Sequence, residues 1–125
     1  MDVIDILKKD YKNFPKCQSF EIYADDVCFS DPLNSFKGVG RYQKMINFMD
    51  SFFSDMNLEL HAIEQEGQLI STEWTLTMAS PLPWKPVIKI SGSSELELNN
   101  DFLITFHRDY WKISPWQVLV QNFRF

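Results

Sequence analysis

The stretch that most restricts what this chain can fold into is 87–98, Val-Ile-Lys-Ile-Ser-Gly-Ser-Ser-Glu-Leu-Glu-Leu. Its side chains alternate without a break. Ile88, Ile90, Gly92, Ser94, Leu96 and Leu98 share one face, and Lys89, Ser91, Ser93, Glu95 and Glu97 share the other. A two-residue period is the repeat of a strand, and a strand apolar on one side belongs to an antiparallel sheet with one wet face. A strand this long has to curve to stay over a single core, and Gly92 near its middle fits a bulge or bend.

The flanking segments follow the same rule. Leu58, Leu60 and Ala62 alternate with Glu59 and His61, and Glu66-Gly67-Gln68 is a hairpin turn. In 69–79, Thr72, Trp74, Leu76 and Met78 oppose Glu73, Thr75 and Thr77. Pro81, Pro83 and Pro86 remove ladder donors, so 80–86 is a stiff loop carrying an exposed or docking Trp84. After a turn at Asn99-Asn100-Asp101 the strand 102–111 is harder to orient. One face holds Ile104, Phe106, Arg108 and Tyr110, the other Thr105, His107, Asp109 and Trp111, and hydrophobicity slightly favours the first as core. Pro115 breaks this strand, and the tail 116–125 is too apolar to float free. It is expected to add a strand or dock on the outer surface as an interface.

The first half has helical spacing. Ile4, Leu7 and Tyr11, with Val3 and Ile6 beside them, define a helix over 3–13, capped by Asp2 and ended by Phe14-Pro15. A short second helix is expected over 18–24, then a brief strand over 27–30 and a turn opening at Asp31-Pro32. A long helix over 39–56 presents Tyr42, Met45, Ile46, Met49, Phe52, Phe53 and Met56 as one stripe. That stripe is either plain core or an adaptable thioether-lined site. Together these elements predict one α+β domain over 1–125: a curved antiparallel sheet wrapped around a long helix, with two shorter N-terminal helices. Such a cone keeps a cavity at its wide end.

Composition narrows the function. Eleven Phe and four Trp suit a large core, an apolar pocket or an interface, and a net charge of −5 argues against nucleic acid and anionic membrane surfaces. No apolar run is long enough to span a bilayer, and the N-terminus lacks the pattern of a signal peptide. Cys17 and Cys28 read as free thiols of a reducing, cytoplasmic compartment. His107 with scattered carboxylates gives no metal-ligand spacing, and no cofactor is expected. Period-two alternation puts Asp31 on the face of Val27 and Phe29. There a desolvated carboxylate is a usable base, while Asp before Pro is equally a turn former.

The order of Tyr23, Asp25, Asp26, Asp31-Pro32, Gly38, Trp74 and the run His107 to Trp111 resembles the nuclear-transport-factor-2-like, or SnoaL-like, superfamily. Pro83-Trp84, Gly92-Ser93-Ser94-Glu95 and His107 further resemble an uncharacterised branch of it known from cyanobacteria and plants. The superfamily includes ketosteroid isomerase, and the resemblance places Asp31 at that enzyme's catalytic base. Its oxyanion donors do not carry over: Leu7 stands where a tyrosine is required, with Tyr11 about one turn away, and Ser94 stands where a protonated Asp is required. The resemblance also turns His107, Asp109 and Trp111 inward, against the hydrophobicity count. It makes His107 with Asp109 a candidate acid–base pair, as in SnoaL-type cyclases.

Three functions follow. The first is a binding domain for a small apolar molecule, its pocket lined by Tyr11, Tyr23, Phe29, Met45, Met49, Trp74, Leu76, Met78, Ser94, Leu96 and Trp111. The second is a lyase, isomerase or cyclase using Asp31 or the pair His107–Asp109. The third is a protein-interaction module, and the resemblance implies a homodimer.

Overall fold

The structure, a computed structural model, describes residues 2–123. In chain order it contains α1 (Val3–Asn13), β1 (Tyr23–Ser30), β2 (Ser35–Lys37), α2 (Val39–Phe52), β3 (Ser54–Glu66), β4 (Leu69–Ala79), β5 (Val87–Leu98), β6 (Ile104–Trp111) and α3 (Pro115–Val120). The α+β class holds. Six strands form one sheet in the order β2-β1-β6-β5-β4-β3. All neighbours pair antiparallel except β1 and β6, which run parallel, so the sheet is mixed. Among the described residues no helix is long and apolar enough to cross a membrane.

Where local pattern dominates, expectation and structure coincide. Asp2 caps α1 by accepting from the Asp5 N–H at 3.0 Å. Gly67 closes the β3–β4 hairpin with φ +61°, a left-handed backbone that glycine adopts without strain. β4 and β5 bury the faces that alternation assigns to them. Gly92, however, marks no bulge, since the β4–β5 ladder runs through it unshifted. A Cβ there would meet the Tyr110 carbonyl and the Trp74 ring, the latter at 2.8 Å, so close approach excludes any side chain.

Several element boundaries are corrected. The short helix over 18–24 shrinks to a single 3-10 turn, Phe20–Ile22, and β1 begins already at Tyr23. A short strand, β2, follows the Asp31-Pro32 turn. α2 ends at Phe52, so Met56 belongs to β3, and Phe52 is 46% exposed at the edge of the stripe. The last strand opens at Ile104, with Phe102 in the preceding turn.

The tail adds no strand. Ser114 caps α3 in a capping box with Gln117, and Pro115 takes the first helical turn, where its missing N–H costs nothing. β6 pairs with β5 only from Gly92 onward. Beside that vacated edge the Gln121 side chain accepts from the Lys89 N–H (2.7 Å) and donates to the Lys89 carbonyl (3.0 Å), standing in for a strand. Trp84 docks the same tail, its indole N–H donating to the Asn122 carbonyl at 2.6 Å. Arg124 and Phe125 lie outside the described residues.

Candidate functional site

Between the inner sheet face and the two longer helices lies a cavity of about 390 Å³. β1 contributes Tyr23, Phe29 and, at its rim, Asp31; β4 contributes Trp74, Leu76 and Met78. β5 adds Ile90 and Ser94, β6 adds His107, Asp109 and Trp111, and α2 adds Met45 and Met49. Tyr11 reaches in from α1. Every expected lining residue is therefore present except Leu96. It shares the inner face with Ser94 but sits at the narrow end, where Ile70, Leu96, Leu98 and Ile104 pack solid.

The inward turn of His107 and Asp109 follows from one irregularity. Glu97 pairs with Phe106 but Leu98 pairs with Ile104, so Thr105 is an extra residue in β6. Ile104 and His107, three apart, thus share the inner face. Phe106 and Arg108 lie beyond it, the guanidinium 4.4 Å from the ring centre, and Tyr110 is exposed. The resemblance oriented this strand correctly and the hydrophobicity count did not.

At the floor a chain of hydrogen bonds converges on one carboxylate oxygen. The Trp74 indole N–H donates to Ser94 Oγ at 2.8 Å, and Ser94 donates to Asp109 Oδ1 at 2.5 Å. His107 Nε2 donates to the same carboxylate oxygen at 2.8 Å. The imidazole is ringed by Tyr23, Phe29 and Tyr42, with ring centres at 6.2, 5.0 and 5.5 Å. Its Nδ1 is buried without a partner.

The phenols beside this network are held in their neutral form. Burial first, then the Asp109 charge, pushes Tyr11 up to about 12, and its hydroxyl shares a 2.9 Å bond with Thr72. Tyr23 and Tyr42 are raised as well, chiefly by burial. Tyr23 donates to Tyr42 at 3.4 Å.

Asp31 is placed differently. Its Oδ1 accepts from the Leu33 N–H (2.8 Å) and the Asn34 N–H (2.6 Å), and the Asn34 amide reaches both oxygens. The structure thus brings His107, Asp109 and Ser94 together and leaves Asp31 in a turn at the mouth. Asp10 also lines the cavity and was not anticipated. It follows Leu7 at i+3, so helical spacing carries the signal. Its carboxyl is raised by burial and accepts from the Ser19 N–H (3.1 Å) and hydroxyl (2.9 Å). No lysine or arginine is among the lining residues described.

Comparison with solved structures gives the same architecture at low identity. A hypothetical protein with a ketosteroid isomerase-like fold from Catenulispora acidiphila, in complex with trimethylamine, has a TM-score of 0.76 and 14% identity over 94% of this chain and 89% of that one. A protein described as a SnoaL-like polyketide cyclase from Jannaschia sp. gives 0.78 and 11% over 94% and 89%. An LEH-like epoxide hydrolase from M. tuberculosis gives 0.71 and 15% over 94% and 84%. These likenesses establish the nuclear-transport-factor-2-like fold. A search among curated proteins gives no match. A family model described as an uncharacterized conserved protein, DUF2358, matches residues 1–107, and the chain belongs to that family.

Proposed function

We propose that this chain is a small-molecule-binding domain whose cone takes an apolar molecule. The observation that carries the reading is the cavity, about 390 Å³ of space inside an otherwise closely packed core. Ligand sites start at roughly 300 Å³. An apolar body entering it takes aromatic and aliphatic wall out of water, which favours an occupant. Its walls are aromatic rings and thioethers, and its mouth passes Leu33 and Phe48, which are 65% and 60% exposed. The relative described in complex with trimethylamine supports a fold that accepts small molecules.

The donor inventory favours binding over enolate chemistry. Building negative charge on a substrate oxygen requires donors aimed at that oxygen. Here Trp74, Ser94 and His107 direct theirs at one another and at Asp109, and nearby phenols are weakened as acids by burial. A second reading, an acid–base lyase, isomerase or cyclase, is favoured by the 2.8 Å contact of His107 with Asp109. In that case the pair, rather than Asp31, moves the proton.

Protein purified under native conditions and heated into organic solvent is expected to release a co-purified apolar compound. Met49→Trp, which fills the cavity, is expected to lose it. Equal yield from the filled variant, or no compound from wild type together with no uptake of an apolar fluorescent probe, would overturn the reading.

A further inference from the structure

The charge left over in the cavity indicates which apolar molecule fits. Three carboxylates line it: Asp10, Asp31 and Asp109. Asp10 spends both oxygens on Ser19, and Asp31 spends both in its turn with Asn34. Asp109 spends only Oδ1, on Ser94 and His107. Its Oδ2 has no partner among the described residues and is not sealed off, for it is absent from the buried unpartnered atoms, where His107 Nδ1 stands alone. That Nδ1 belongs to a side chain 7% exposed. One carboxylate oxygen is therefore unspent at the floor. The neutral donors near it are the hydroxyl of Tyr42, which accepts from Tyr23, and whichever hydroxyl of Tyr11 and Thr72 accepts in their shared bond.

A carboxylate or phosphate would enter a site that holds negative charge and no lysine or arginine to offset it. A ketone would bring a further acceptor. The unspent oxygen of Asp109 takes a donor, and a positive donor gains most, because charge-assisted bonds are about twice as strong as neutral ones. The walls point the same way: Tyr11, Trp74 and Trp111 border the floor, and aromatic faces attract cations. We propose that the cavity takes a protonated organic amine, its ammonium group on Asp109 Oδ2 and its apolar body along the aromatic and methionine walls. This rests on the small-molecule reading above and adds the class of ligand.

The test compares probes of one shape on the full chain by titration calorimetry near neutral pH: phenylbutylamine, phenylbutanol, phenylbutyrate and butylbenzene. The amine is expected to bind at least about tenfold tighter than the alcohol, and phenylbutyrate weakest of the four. Asp109→Asn is expected to bring the amine to within about threefold of the alcohol while butylbenzene still binds. Should that variant fail to fold, the indole N–H resonance of Trp74 in the wild-type protein replaces it. Through Ser94 it reports on Asp109, and it is expected to shift with the amine and not with butylbenzene. Alcohol or phenylbutyrate binding as tightly as the amine, or an amine preference that survives Asp109→Asn, overturns the amine proposal and leaves the apolar cavity standing. Failure of all four probes, butylbenzene included, removes the binding reading itself.

Discussion

Two carboxylates border the cavity near strand ends, and they are used in opposite ways. Asp31 closes β1 at the lip, where the chain turns back and brings the N–H groups of Leu33 and Asn34 to it at 2.8 and 2.6 Å. Asp109 lies on the floor within the β5–β6 ladder, paired with Ser94, where backbone donors serve the sheet and only side chains reach it. The residue type is the same in both places. What differs is whether free backbone N–H groups are at hand: where they are, a carboxylate becomes part of the turn, and where they are not, it keeps an oxygen for something else.

The comparison can be pressed hardest at high pH, because the phenols beside the floor are buried and the lip is not. Tyr11, Tyr23 and Tyr42 all have pKa values raised in the folded state, burial being the first cause. A phenol whose folded pKa exceeds its unfolded value contributes stability in full below the unfolded pKa and loses it as pH rises. For Tyr11 the window runs from 10 to about 12. At about 1.4 kcal/mol per unit, that residue alone accounts for roughly 3 kcal/mol, and the other two add to it. Urea unfolding of a Tyr110→Phe chain, which removes the exposed phenol, is expected to show stability falling steeply across that window, with phenolate absorbance appearing only as the chain unfolds. Phenolate appearing in that chain at the lower end of the window while the fold persists would mean that water reaches the three phenols.

Gly92→Ala strikes the floor through its backbone. The new methyl would collide with the Tyr110 carbonyl and come within 2.8 Å of the Trp74 ring, and neither is the free end of a flexible chain. A loss of about 3 kcal/mol is expected in urea unfolding, with a displaced Trp74 indole resonance. A neutral result would show that the Trp74 wall is loosely held.

How far these two regions could be read in advance depended on which interactions are local. β4 and β5 were legible because their alternation is uninterrupted, and the cone followed from helices placed ahead of long strands. The floor was legible in membership but not in wiring. That Ser94 faces Asp109, and that Trp74 reaches Ser94 from the neighbouring strand, is a matter of register, which no single segment carries. The inner face of β6 was hidden by Thr105, since one extra residue reverses a two-residue count and only pairing with β5 reveals it. Leu96 was misplaced because facing inward is not the same as facing a cavity: the narrow end has none. The tail differs from a strand for another reason. Ser114-Pro115-Trp116-Gln117 carries a helix start, and the proline that ends a strand also opens a helix.

On the floor itself, Asp109→Ala leaves the His107 N–H and the Ser94 hydroxyl without their acceptor. A loss of about 2–3 kcal/mol is expected near neutral pH, since stranded buried donors cost more than the bond they lose. Asp109→Asn keeps one acceptor oxygen and is expected to cost about half as much. Equal stability of wild type and Asp109→Ala in urea would remove Asp109 as the hub of the network.

The smallest effect separates lip from floor most cleanly. If Asp31 serves its turn, the work is done by an acceptor oxygen one bond from the side-chain carbon, and Asn supplies the same oxygen in the same place. Asp31→Ala should then lose about 1 kcal/mol, and Asp31→Asn should recover most of it. If Asp31 is held for proton transfer, Asn is no better than Ala in any turnover assay, because an amide has no usable basicity, while both variants melt near the wild type. Calorimetric melts of the two variants beside wild type decide between these, since a turn former spreads the pair apart in stability and a base leaves them together. The same contrast at Asp109 has a different sign of interest: there Asn is expected to preserve part of the fold while discarding the charge that a cationic ligand needs.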